Sequence, residues 1–181
     1  MDWTPNTTHA ALLLASSKGF YARESLDVRF LSPSDHGAPK TPLDAVVAGA
    51  AEVGISPCDQ VLYESLREDR VVCVATLHEV DISAVCVDED SNFTRPSLLS
   101  DARYASCGYP LETAAVNSMI RNDGGGGGII EVCPEERTET EMNLLDGSAD
   151  CAWMYRTWEG LRARRRGRKL REFRMKVFGV A

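Results

Sequence analysis

The sequence predicts an α/β protein of two lobes with largely parallel sheets, and three observations carry that prediction. Short β-like runs alternate with helix-like runs along the chain, the pattern of strands joined by helical crossovers. The chain has 181 residues, room for one domain or two small ones. Near residues 80–95 two β-like runs meet, and an acidic segment through Pro96 reads as a surface crossover between lobes.

The elements follow in order. Residues 10–24 read as an apolar helix and 28–31 as the strand after it. Residues 43–50 read as a helix, 53–55 as a brief strand, 57–67 as a helix and 71–77 as a β-branched run. Residues 82–87 form the next expected strand, ended by Asp88-Glu89-Asp90. Strands are then expected at 102–107, 128–132 and 149–153, with helices at 111–121, 139–145 and from the Trp153 region through Arg164. The glycine run 124–128 lacks a following Gly-Lys-Ser/Thr. It reads as an expanded helix-to-strand turn, not a phosphate loop. The basic run 162–171 reads as a solvated helix end, where cations are favoured.

Composition narrows the function classes. With 44% hydrophobic residues the chain can build a core without disulfides or metal. A net charge of -7 speaks against a dedicated nucleic-acid binder. The longest apolar stretch, residues 10–15, falls far short of the ~20 residues a membrane span needs. The chain opens Met1-Asp2-Trp3 without a secretory signal, so the default compartment is the cytoplasm. The six cysteines, Cys58, Cys73, Cys86, Cys107, Cys133 and Cys151, contain no Cys-x-x-Cys pair and read as buried reduced thiols.

Ligands of open α/β sheets bind beside the N-termini of the helices that follow strands. Four such junctions stand out: Trp3-Thr4-Pro5-Asn6-Thr7-Thr8-His9, Gly54-Ile55-Ser56-Pro57, Cys107-Gly108-Tyr109-Pro110, and the segment from Trp153 through Tyr155, Trp158 and Glu159 to Gly160. In the second, Ser56 reads as an N-cap and Pro57 as the first helical residue. Together the junctions supply aromatic faces, amides, hydroxyls and one carboxylate, Glu159. That inventory suits a flat, nitrogen-containing ring, with the carboxylate accepting from an exocyclic amine. His36 and His78 have no assignable partner. No Ser-His-Asp set, paired-carboxylate motif or metal cluster emerges, so no catalytic residue, cofactor or metal ligand is named.

The residues also carry a resemblance. Asp2-Trp3-Thr4-Pro5-Asn6-Thr7-Thr8-His9, Lys18-Gly19-Phe20-Tyr21, Glu24-Ser25-Leu26-Asp27-Val28, Gly54-Ile55-Ser56-Pro57, Gly108-Tyr109-Pro110-Leu111-Glu112 and Trp158-Glu159-Gly160 resemble, in order, motifs of the thiamine-pyrimidine synthase-like family of periplasmic-binding-protein relatives. The resemblance implies a type II binding-protein fold, two α/β lobes joined by a hinge with a ligand in the cleft. It implies lobe 1 over residues 1–85, lobe 2 over 86–175, and at 176–181 the start of a return crossover. The chain is expected to lack the rest of that segment, to begin inside the first strand, and to be marginally stable.

Members of this family divide in function. The binding branch captures aminopyrimidine precursors of thiamine for an uptake transporter. The synthases build hydroxymethylpyrimidine phosphate from pyridoxal phosphate and one of their own histidines, with iron. At the positions where the synthases carry the lysine and the consumed histidine, this chain has Ser56 and Gln60. A serine forms no Schiff base and a glutamine donates no imidazole atoms. The resemblance therefore implies binding of a formylaminopyrimidine or hydroxymethylpyrimidine by Trp3, Asn6, Tyr155, Trp158 and Glu159, with His9, Ser56 and Tyr109 as cleft neighbours. A synthase-like enzyme or a truncated, inactive family member is the alternative. The small-molecule partner is an aminopyrimidine, and a transporter or a homo-oligomer is left open.

Overall fold

A computed structural model describes residues 1–32, 41–68, 71–109, 111–132 and 140–180. His36, Pro110 and Cys133 lie outside the described residues. The chain divides into two compact units, Met1–Glu79 and Val80–Ala181.

The described part of the first unit is helical. A short 3-10 turn, Thr7–His9, is closed by a reciprocal cap: the Asn6 side chain accepts from the Thr8 N–H at 2.7 Å, and the His9 ring accepts from the Asn6 N–H at 3.3 Å. The turn leads into α1 (Ala10–Ser17) and α2 (Phe20–Arg23). These replace the single helix expected over 10–24, because Gly19 sits at φ 69, a left-handed conformation that ends a helix and is open to glycine. In α3 (Pro42–Val47), Thr41 and Asp44 cap each other at 3.1 Å, with Pro42 at the first helical position. The helix α4 (Cys58–Glu68) begins one residue late, since the Val61 N–H donates to the Pro57 carbonyl at 3.2 Å. Ser56 is therefore not the cap. Its hydroxyl donates instead to Gln60 Oε1 at 3.1 Å.

The strands expected at 28–31, 53–55 and 71–77 do not form; these residues have no ladder partner among the described residues. Their β-branched side chains favour an extended backbone, but a strand exists only where a neighbour supplies N–H and C=O groups. Much of their apolar surface stays exposed, with Val72 78% and Val74 76% accessible.

The second unit carries the sheet. Its strands are β1 (Ser83–Asp88), β2 (Arg103–Ala105), β3 (Ile130–Val132), β4 (Cys151–Tyr155) and β5 (Leu170–Phe173), in the order β3-β2-β4-β1-β5. The sheet is mixed: β2 runs parallel to β3 and β4, whereas β1 runs antiparallel to β4 and β5. The parallel half follows from the crossover helices α5 (Glu112–Asn122) and α6 (Thr140–Asp146). Alternation along β1 sends Val85 and Val87 to one core, with Tyr104, Val116, Met119 and Ile120, and Ala84 and Cys86 to another, with Ala105, Leu144, Ala152 and Met154. Both sheet faces are thus covered, which gives a three-layer α/β/α unit.

The basic run also resolves differently from its expectation as a solvated helix end. Its first residues do close a helix, α7 (Glu159–Arg165), but residues 170–173 enter the sheet as β5. Arg164 pairs with Glu172, Arg168 with Asp88 at 2.6 Å, and Arg171 donates to the carbonyls of Glu89 and Phe93 at 2.8 and 3.0 Å. Of the described cysteines, Cys86 and Cys151 are buried on strands as expected, but Cys58 and Cys73 are exposed. No described helix is long and apolar enough to cross a membrane.

The glycine run is the expected turn from α5 to β3. Its amides are held internally: Gly125 N–H by the Ile120 carbonyl at 2.9 Å, Gly126 N–H by Ser100 Oγ at 3.2 Å, and Gly128 N–H by Asn117 Oδ1 at 2.8 Å. A Cβ on Gly125 would stand 2.7 Å from the Ser97 carbonyl oxygen and from Ile120 Cγ2. Gly125→Ala is therefore expected to destabilise by about 1–3 kcal/mol, read as a lower urea midpoint, while Gly126→Ala, with only a 3.9 Å neighbour, leaves the midpoint close to the parent.

Candidate functional site

The strand β4 ends at Tyr155 and the chain turns at once into α7, with the Trp158 N–H donating to the Tyr155 carbonyl at 3.0 Å. Glu159, the first residue of α7, folds its side chain back over this turn. Its Oε2 accepts from the Tyr155 N–H at 2.9 Å, so a helix-start carboxyl satisfies an amide that the strand leaves open. The residue is only 2% exposed. Burial pushes its carboxyl up to about 7, against the pull of its own and Tyr155's amides; Glu141 adds to the rise and Arg162 opposes it. At neutral pH it is thus a carboxyl that both donates and accepts.

Trp158 is half-buried, and its indole Nε1 is buried with no partner among the described residues. One helical turn on, the Arg162 guanidinium lies over the Trp158 ring, 5.3 Å from its centroid. Arg162 Nη1 also forms an ion pair at 2.8 Å with Glu141, a carboxylate from α6 with no solvent exposure. The structure thus gathers Tyr155, Trp158 and Glu159, three of the residues expected at the ligand, with Glu141 and Arg162 behind them.

Tyr109 lies on a different loop of the same unit, shaped by buried Glu112. Glu112 accepts from the Cys107 N–H at 3.1 Å, the Tyr109 N–H at 3.3 Å and the Tyr104 hydroxyl. Burial raises its carboxyl above the usual range, and these donors hold the rise in check. In the first unit, Trp3 is buried, and its indole Nε1 has no partner among the described residues. Asn6 uses its side chain as the cap described above and donates to the Thr4 carbonyl at 2.9 Å. Buried His9 has both nitrogens engaged, Nδ1 accepting from Asn6 and Nε2 meeting Asp2 Oδ1 at 2.8 Å, which makes Nε2 the protonated one. His78 Nε2 lies 3.0 Å from the Thr8 carbonyl.

Three residues of these clusters are not among those expected from the sequence. Glu112 stands in a motif read only as the start of a helix, Glu141 in a stretch read only as a helix, and Arg162 in a run read as a helix end. The i, i+4 spacing of Trp158 and Arg162 was the available signal.

The donors that the resemblance assigns to pyridoxal phosphate and iron in the synthases are not matched among the described residues. Position 56 offers a hydroxyl bonded to the Gln60 side chain, and no described group of three His, Cys, Asp or Glu residues is arranged for a metal.

The layered unit and its mixed sheet make this an α/β chain whose fold is like that of type II binding proteins. The fold of an ancestral arginine-binding protein matches with a TM-score of 0.54 at 13% identity, over 87% of this chain and 66% of that one. The chain belongs to the NMT1/THI5-like family, whose model matches residues 6–181. It is 26% identical over 125 residues, 69% of this chain and 37% of the relative, to the formylaminopyrimidine-binding protein of Halalkalibacterium halodurans. It is 27% identical over 94 residues, 52% of this chain and 27% of the relative, to the 4-amino-5-hydroxymethyl-2-methylpyrimidine phosphate synthase of Uromyces fabae. The chain spans less than half the length of these curated relatives.

The raised Glu159 carboxyl has a consequence for stability. The protonated form is favoured on folding, so its contribution is full below the ordinary value of 4.5 and is lost as pH rises through about 7. Denaturant melts at pH 4.5 and 7.5 should show Glu159→Gln removing a pH-dependent loss on the order of 3 kcal/mol; an unchanged slope would mean that Glu159 titrates normally.

Proposed function

We propose that the chain binds a pyrimidine precursor of thiamine, of the formylaminopyrimidine or hydroxymethylpyrimidine type, and that Trp158 and Glu159 are its principal contacts in the second unit. The observation that carries this reading is the buried Glu159 carboxyl, pushed up to about 7 by burial, next in sequence to Trp158, whose indole N–H has no partner among the described residues. An aminopyrimidine presents an amidine edge, a ring nitrogen that accepts and an amine that donates. A protonated carboxyl complements both at once, its O–H to the ring nitrogen and its C=O to the amine. A carboxylate facing a protonated ring makes the same two bonds with the proton moved across. The aromatic ring of Trp158 adds a flat apolar contact.

Relatives on the binding side and on the synthase side both support a pyrimidine of this class. Ser56 and Gln60 favour the binding side, because neither can perform the synthase steps assigned to those positions. Tyr155 and Tyr109 are proposed as further contacts. In the first unit Trp3 and Asn6 are proposed as contacts, with His9 and Ser56 as supporting neighbours.

Calorimetric titration with formylaminopyrimidine and hydroxymethylpyrimidine tests the proposal. Saturable binding is expected, weakened at least about tenfold by Glu159→Gln and by Trp158→Ala. Absence of binding to either compound would sink it, and a Schiff-base absorbance with pyridoxal phosphate would favour the synthase reading.

A further inference from the structure

Trp158 is tied to α7 twice, both times by Arg162. The Arg162 N–H donates to the Trp158 carbonyl at 2.9 Å, the first hydrogen bond of the helix that Trp158 precedes. The guanidinium of the same residue lies over the indole, 5.3 Å from its centroid. A spacing of four places the two side chains on one face of the helix. On the strand side, the Trp158 N–H donates to the Tyr155 carbonyl at 3.0 Å. The guanidinium is in turn held from a second helix, where Glu141 of α6, with no solvent exposure, meets Arg162 Nη1 at 2.8 Å. Direct contacts thus run from α6 through Glu141 and Arg162 to the Trp158 ring.

An arginine whose head is paired with a buried carboxylate loses most of its rotamer freedom, and the ring it covers loses freedom with it. An indole has two faces, and the guanidinium takes one of them. Ordering a contact side chain before the ligand arrives removes that cost from binding. We propose that Arg162, anchored by Glu141, is a positioning residue that holds the Trp158 ring in place, so that a flat heterocycle stacks on the face away from the guanidinium. The inference rests on the reading of Trp158 as a ligand contact. Glu141 acts on the ring through Arg162. Glu159 is held from another direction, by the Tyr155 amide at the end of β4, so the two contacts are positioned by different elements.

Nitrogen-15 relaxation of the indole N–H groups tests this in the ligand-free chain. The three tryptophans give three such signals, and that of Trp158 is assigned by its loss in Trp158→Phe. Trp153, on β4 of the same unit, is the internal control. Arg162→Lys keeps the positive charge and removes the flat cover. The Trp158 ring should then gain fast motion, while Trp153 and the urea midpoint stay near the parent's. Glu141→Gln leaves the guanidinium in place but replaces its charged anchor with a neutral amide, and should loosen Trp158 in the same way. Hydroxymethylpyrimidine is titrated on Arg162→Lys, because this variant preserves the charge that Glu159 also feels. Its affinity should fall about threefold to tenfold. Loosening of Trp153 together with Trp158 would mark a merely structural pair and overturn the proposal. An unchanged Trp158 ring in both folded variants would overturn it too, as would a loosened ring with the parent's affinity. If Trp158 alone loosens and the parent chain binds no pyrimidine, the binding function fails while the positioning of the ring by Arg162 stands.

Discussion

An antiparallel pair of strands, β1 with β4, is buried on both faces in the second unit, and the rest of that unit follows from it. Ala84 opposite Met154 and Cys86 opposite Ala152 fill one core, while Val85 opposite Trp153 contributes to the other. A strand pair with two apolar faces needs helices on both sides. Covering them puts α5 on one side and α6 and α7 on the other. Because β4 must end where its apolar run ends, the chain leaves the sheet at Tyr155 and starts a helix within four residues. Glu159 lies at that short junction, held by the amide it caps. The position of the candidate site is thus a consequence of sheet packing, and its carboxyl is buried because the same packing excludes water.

Burial alone would make Glu159 an inert, neutral acid. What sets its protonation is the balance around it. Two backbone amides and Arg162 pull toward ionisation, while desolvation and Glu141 push against it, and the result falls near neutrality. A group poised there can give or take a proton from a weakly basic heterocycle without a large cost in either direction. The Glu112 loop works by a different logic. Its carboxyl is consumed by three internal donors, which shape the backbone that carries Tyr109 and leave little capacity for a ligand.

Much of the second unit was legible in the sequence, and for physical reasons. The runs at β1 and β4 are largely apolar over the length of a buried strand, and α5 repeats its apolar residues at helical spacing. The strand β5 was hidden because Leu170-Arg171-Glu172-Phe173 alternates charge with apolar residues inside a basic run; its charges pair within the unit instead of facing solvent. The first unit was legible for its helices and not for its strands. Residues 28–31 and 71–77 have the composition of strands, but pairing depends on neighbours and not on composition. Trp158 and Glu159 were reached through their place at a strand-to-helix junction and again through motif resemblance. Glu141 and Arg162 were not: an ion pair between two helices leaves no local pattern in either, and the i, i+4 spacing of Trp158 and Arg162 was the one local signal.

The central claim is that Glu159 is a proton-sharing ligand contact within an NMT1/THI5-like chain. The most direct test measures protons, by titrating hydroxymethylpyrimidine at pH 7 in buffers of different ionisation enthalpy. The account predicts a fractional proton taken up or released on binding, visible as a buffer-dependent heat, that disappears in Glu159→Gln. Heats that are independent of buffer in the parent chain, or a linked proton that survives the substitution, would contradict it.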